Sequence, residues 1–330
     1  MIIIKHSLFL FMALMLLQCN TEKASVYREQ TSGEAVPLAF NKIDTTAQVI
    51  AYTNPLEVNH QGGHLQGIQW MEKDERTYAV ITGSSGTYSY YAVMRLGDEN
   101  KVISINKILD KPYKHAGGFQ IYDNSYMAIG VEDNEARNTS KVHIYKINDP
   151  EQPPREPVAV IERTGAYERA TAGCVGIMMI DHKILLVVGD WNSRHLDFYL
   201  SHALSSETKS LTFEKIYTIR VADTDREEWV NKEWLAYQNI NLIRDQKNKL
   251  YLVGLARNEQ QQDIADLFEI ETKDLKTFRL IKVATRQFEA EGGTNFQWAA
   301  GVYYDSTAAH MRIISSTDHL DKTAVLNQFR

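Results

Sequence analysis

The segment GGHLQGIQW (62–70) returns about fifty residues later as KHAGGFQIY (114–122), with His64 over His115, Gly67 over Gly118 and Gln69 over Gln120. Weaker copies follow at GCVGIM (173–178), QNINL (238–242) and TNFQW (294–298). One column then reads His64, His115, Gly173, Ala236, Gly292, and another reads Gln69, Gln120, Met178, Asn241, Gln297. A unit repeated at a near-constant interval restricts a chain more than its composition does. Each copy takes the same local structure and buries its apolar face against the next.

Three strand-like runs accompany each copy. The first set is TYAVITG (77–83), SYMAIGV (125–131), ILLVVGD (184–190), LYLVGLA (250–256) and MRIISST (311–317). The second is YYAVMRL (90–96), KVHIYKI (141–147), HLDFYLS (195–201), DLFEIET (266–272) and TAVLNQF (323–329). The third, VISINKI (102–108), PVAVIER (157–163), FEKIYTI (213–219) and RLIKVAT (279–285), lacks a fifth member after the last repeat. AQVIAY (47–52) stands ahead of the first repeat and supplies it. Four short strands per unit is the signature of a propeller blade. The expectation is an all-β, five-bladed β-propeller over 47–330, four strands per blade, closed by the N-terminal strand so that no sheet edge is left open. A sandwich pair or a six-bladed ring are the alternatives. Only DREEWVNKEWLAY (225–237) has helical character, and it reads as an insertion before the fourth copy.

The N-terminus carries Lys5, an apolar run from Leu8 to Leu17, and then Cys19. That run is too short to span a bilayer and has the layout of an export signal. With Leu16 three residues before Cys19, it resembles a bacterial lipoprotein signal, and the whole chain resembles exported β-propeller lipoproteins. The resemblance implies a signal over 1–18, lipidation of Cys19 with a palmitate-type anchor, and a periplasmic or outer-membrane location on the cell envelope. Residues 19–46 are polar and poorly periodic and read as a tether. With Cys19 used as the anchor, Cys174 has no disulfide partner. The net charge of −6 offers no basic footprint, which argues against nucleic acid as a partner. The chain is read as a monomer.

In a propeller the repeated motif is the innermost strand, so its columns line or rim the central channel. Gly67, Gly118 and Gly176 would let crowded inner strands approach. Gln69, Gln120, Asn241 and Gln297 would form a ring of amides bonding to one another, to water or to a ligand. His64 and His115 occur in only two copies, so the fold does not require them. His60, His64 and His115 together would suit a divalent metal, since imidazole is a ligand for zinc, copper or iron. Glu132, Asp133, Asp190, Glu289, Glu291, Tyr167 and Arg169 fall in loops that would rim the same entrance, and Trp70, Trp191 and Trp298 could stack on a sugar. G-x-S-x-G, H-E-x-x-H, P-loop and G-x-G-x-x-G motifs are missing. Five-bladed arabinanase- and levansucrase-type propellers use inner-strand carboxylates as acid and base, and the aligned columns here hold none, which argues against ordinary glycoside hydrolysis. The leading expectation is an anchored protein binding a small molecule or glycan at the channel mouth through His64, His115, Gln69, Gln120, Asn241 and Gln297. A metal-dependent enzyme or polysaccharide lyase using the His residues, and a protein-interaction scaffold, are the alternatives.

Overall fold

The computed structural model describes residues 35–203 and 211–330. The expected signal, Cys19 and the first part of the expected tether lie outside these residues. The described chain is almost entirely β. One helix, α1 (Ala35–Lys42), precedes strand β1 (Gln48–Thr53). Four antiparallel meanders follow: β2 (Gln61–Lys73), β3 (Arg76–Ser85), β4 (Tyr88–Leu96) and β5 (Lys101–Asp110); then β6 (His115–Tyr122), β7 (Tyr126–Glu132), β8 (Thr139–Lys146) and β9 (Ala159–Thr164); then β10 (Cys174–Ile180), β11 (Lys183–Gly189), β12 (His195–Ser201) and β13 (Phe213–Arg220); then β14 (Asn239–Arg244), β15 (Leu250–Arg257), β16 (Asp263–Lys273) and β17 (Thr277–Phe288). The last meander, β18 (Ala300–Asp305), β19 (His310–Ser316) and β20 (Thr323–Phe329), takes β1 as its outer strand, in register from Gln48 opposite Gln328 to Thr53 opposite Thr323. Single parallel pairs, Thr53 with Lys101 and Cys174 with Gly118, fuse four of these meanders into two larger sheets.

The first strand of each meander touches the first strand of the next, from β2 to β6, β10, β14 and β18, and β18 returns to β2. The core follows the same circuit. Met71 and Tyr78 pack with Phe119 and Ile129, Ala128 and Ile144 with Val175 and Leu186, and Met178 and Phe198 with Leu242 and Phe268. Val253 and Leu267 pack with Ile313 and Phe329, and Ile314 and Leu326 with Ile68 and Trp70. Apolar residues on both faces of the middle strands are therefore buried between neighbours, while of the outer strands β1 is mostly exposed and β5 mostly half-buried.

Two segments depart from expectation. Residues 35–42 are a helix, and the end of the expected tether is part of the fold. Val36, Ala39, Phe40 and Ile43 join the core beside Phe288 and Phe329. The Arg286 guanidinium donates to the Phe40 carbonyl at 2.7 Å, meeting one of the carbonyls that a helix end leaves unpaired. The 225–237 stretch forms no helix; a short 3-10 turn at Val221–Asp223 leads into an irregular path. Tertiary anchors override its local preference. Trp229 donates to the Leu280 carbonyl, and fully buried Lys282 donates to the Glu233 carbonyl at 2.5 Å and to Asp266 at 2.9 Å. The Tyr237 hydroxyl donates to the same Asp266 carboxylate. Burial lowers the Lys282 ammonium, and the Asp266 charge opposes that shift.

If residues 35–43 belong to the core, Phe40→Ala should lower unfolding free energy by about 3–5 kcal/mol in denaturant titration. A loss below about 1 kcal/mol would instead make α1 an appendage.

Candidate functional site

The centre of the ring is built from amides and glycines. Gln120, on β6, uses its whole carboxamide on its neighbours' backbones. Its Oε1 accepts from Ile177 N–H of β10 and from Leu242 N–H of β14, each at 2.8 Å, and its Nε2 donates to the Leu242 carbonyl at 2.8 Å. Asn241, on β14, accepts from Val302 N–H of β18 at 3.2 Å and donates to Gln69 Oε1 of β2 at 3.2 Å. Gln69, Gln120 and Asn241 are all buried. Glycine makes this approach possible: a Cβ on Gly118 would stand 2.1 Å from the Gln238 carbonyl oxygen, and one on Gly301 1.8 Å from that of Ile68. Three members of the expected amide ring therefore meet at the centre, bonded mainly to backbone. Gln297 does not join them. It lies in the turn before β18, and the fifth inner strand is AGVYYD (300–305), not TNFQW. The polar and apolar spacing of TNFQW imitates the motif, but Gly301 marks the real close approach.

Where the inner strands begin, His64 and His115 rim one end. The His64 ring stacks on Trp298, centroids 4.3 Å apart and 12° from parallel, and meets the His319 ring edge-on at 5.3 Å. Its Nδ1 is buried without a hydrogen-bond partner. Desolvation lowers the His64 pKa, with His319 and His115 adding to the effect and Asp318 opposing it, which favours the neutral imidazole. His115 opens β6 opposite Glu132 of β7. Its Nδ1 lies 3.2 Å from Glu132 Oε1, out of line for a hydrogen bond, while Glu132 Oε2 accepts from Ala172 N–H at 2.8 Å. Trp191 stands 6.4 Å from the His115 ring, and Arg137 covers it at 3.8 Å. Desolvation raises the Glu168 carboxyl, but Arg194 and Arg137 outweigh it and hold the group below its ordinary value. Asp190 is buried beside Trp191, bonds His195 Nδ1 at 2.6 Å, and is raised by burial.

The expected metal set is regrouped. His60 is exposed in the turn before β2, with φ +55° and its carbonyl accepting from Gly86 N–H. Among the described residues, the group of His, Cys, Asp or Glu side chains able to share an ion is His64, Asp318 and His319, with ligand atoms within 4.8 Å of one another. The other expected rim residues disperse. Asp133 caps its own turn, Arg169 pairs with buried Asp197, and Tyr167, Glu289 and Glu291 are exposed.

The other end, where the inner strands finish, holds a cavity of about 510 Å³. Trp70, Tyr122, Tyr303 and Tyr304 supply aromatic walls, with Arg244 and Asp245 among them, and Gln120 lines its inner side. Asp245 Oδ1 accepts from the N–H groups of Lys247 and Lys249, each at 2.8 Å, while its Oδ2 is buried and unpartnered. The Tyr304 hydroxyl is also buried and unpartnered. Burial first, then the charges of Asp245 and Asp305, push that phenol up to about 12, so it stays a donor at neutral pH. Tyr303 and Tyr304 escape notice in the sequence because the fifth inner strand is sought at TNFQW (294–298), ahead of β18, and Asp245 because it sits in an ordinary turn after β14.

No protein-family model matches the chain, and no curated protein matches it. Solved structures of similar shape include the α-L-arabinofuranosidase PaAbf62A from Podospora anserina in complex with cellotriose, 8% identical over 87% of this chain and 97% of that one, TM-score 0.51. The catalytic domain of the Coprinopsis cinerea GH62 α-L-arabinofuranosidase is 11% identical over 84% and 96%, TM-score 0.49. CoXyl43, a GH43 β-xylosidase/α-arabinofuranosidase from a compost microbial metagenome, is 10% identical over 84% and 95%, TM-score 0.47. At these identities the likeness is one of fold, and the Podospora anserina structure, with a TM-score above 0.5, supports an all-β protein of β-propeller type.

Proposed function

We propose that the chain is a five-bladed β-propeller, lipid-anchored at Cys19 on the outside of a bacterial membrane, that binds a glycan or similar polyhydroxylated small molecule in the cavity at the far mouth of its channel. Five antiparallel groups of four strands, with β1 completing the fifth, support the blade count. The layout of Lys5, the apolar run and Cys19 supports the anchor.

The observation that carries the ligand class is the pair of unmet groups in the cavity wall. A sugar hydroxyl both accepts and donates; it would accept from the Tyr304 phenol and donate to Asp245 Oδ2, meeting two buried groups that otherwise cost about 1–3 kcal/mol each. Trp70 and Tyr303 offer flat apolar faces for the carbon side of a pyranose or furanose ring. The volume falls within the roughly 300–1,000 Å³ of ligand pockets. In this reading the contacts are Tyr303, Tyr304 and Asp245, Gln120 serves as a structural wall, and His64 and His115 face the opposite mouth.

Screening the purified protein on arrayed oligosaccharides should yield at least one bound class. Tyr303→Ala and Asp245→Asn, the second retaining the Oδ1 bonds, should each weaken it about tenfold, equivalent to about 1.4 kcal/mol. No bound class, or binding untouched by both changes, would refute the reading. For the anchor, Cys19→Ala should move the protein from the membrane to the soluble fraction and remove the lipid mass from its N-terminal peptide; a variant that stays membrane-bound would count against lipidation.

A further inference from the structure

Three potential ligands converge where the inner strands begin, at the opposite end from the cavity. His64 comes from β2, and Asp318 and His319 come from the connection between β19 and β20. The two segments are about 250 residues apart in sequence, and the return of β18 to β2 brings them together. Leu65 N–H donates to the Asp318 carbonyl at 2.8 Å, so the backbones that carry the three side chains are joined to each other.

We propose that His64, Asp318 and His319 form a binding site for a divalent transition-metal ion, of which zinc is the best fit, with one coordination position left open at the channel mouth. Two imidazoles and a carboxylate are the donor set of borderline ions such as zinc; calcium and magnesium prefer oxygen alone. Ligands at 2.0–2.1 Å from a tetrahedral ion stand roughly 3.3 Å apart. Asp318 Oδ1 and His319 Nδ1, at 3.0 Å, are already near that spacing. The remaining separations, within 4.8 Å, close by small side-chain rotations.

The second observation is the state of His64. Trp298 fixes the plane of its ring at 4.3 Å, and its Nδ1 is buried with no partner. A polar nitrogen held rigidly and left unmet is costly unless something else binds there. Three protein ligands leave a position for water or for an oxygen or nitrogen of a small molecule, as in open zinc sites. His115, at the start of the neighbouring inner strand β6, stands beside buried Glu132. That pair lies outside the ligand set. The site shares no ligand with the cavity, so it stands or falls apart from glycan binding.

The test uses tag-free, full-length mature protein stripped with chelator and titrated with zinc chloride against a chelating indicator, with cobalt(II) as a spectroscopic reporter. We expect one zinc per chain with Kd in the micromolar range or tighter, and visible cobalt absorption of tetrahedral intensity. His319→Ala and His64→Gln should each weaken zinc at least tenfold and abolish the cobalt bands, with thermal unfolding of the stripped proteins unchanged for His319→Ala. His115→Ala should retain stoichiometric zinc. Wild-type protein holding less than a tenth of an equivalent would overturn the proposal, as would zinc affinity that survives His319→Ala. Loss of zinc in His115→Ala would overturn the ligand set.

Discussion

The five inner strands of this ring have almost no ladder to share, and two side-chain amides replace it. Consecutive inner strands splay apart around the axis; only Cys174 and Gly118 form a backbone bridge pair. The backbone groups facing the centre would otherwise lie buried and unmet. Gln120 ties β6 to β10 and β14, and Asn241 ties β14 to β18 and β2, so the two carboxamides reach all five. Each buried group they satisfy would cost about 1–3 kcal/mol if abandoned. Glycines at Gly118 and Gly301 keep the strands close enough for those short amides to reach.

That construction separates the two ends of the channel chemically. The amides and glycines fill the middle, so the start of the inner strands carries imidazoles and buried carboxylates, and the finish carries tyrosines and Asp245. The fold thus offers two faces whose chemistry is independent. A hydroxyl-rich ligand is proposed for one and an ion for the other. Loops return to the same two faces in every repeat, which is how residues as distant in sequence as His64 and His319 become neighbours.

Nearly every strand was legible in the sequence, because alternation and apolar runs are local signals and the repeat multiplied them fivefold. Even the borrowed strand at 47–52 was visible, since its absence at the C-terminus left one unit short. What was hidden depends on tertiary contact. The sequence of α1 is apolar enough to bury but too short to announce a helix, and Phe288 and Phe329 decide its place. Residues 225–237 have helix-forming residues, yet buried Lys282 and Asp266 hold them in another path. Gln297 matched the pattern, but the fifth inner strand begins three residues beyond it, with its close-approach glycine at Gly301. Asp318 and His319 carried no local sign of pairing with His64, because only closure of the ring unites them.

The direct test of this account is the unfolding free energy of Gln120→Leu, measured by denaturant titration beside wild type. Leucine has a similar volume but leaves Ile177 N–H, Leu242 N–H and the Leu242 carbonyl unpaired in the buried centre. If the amides hold the ring, the variant should lose about 3 kcal/mol or more. A loss below about 1 kcal/mol would show that the inner strands stand without them, and would contradict the account.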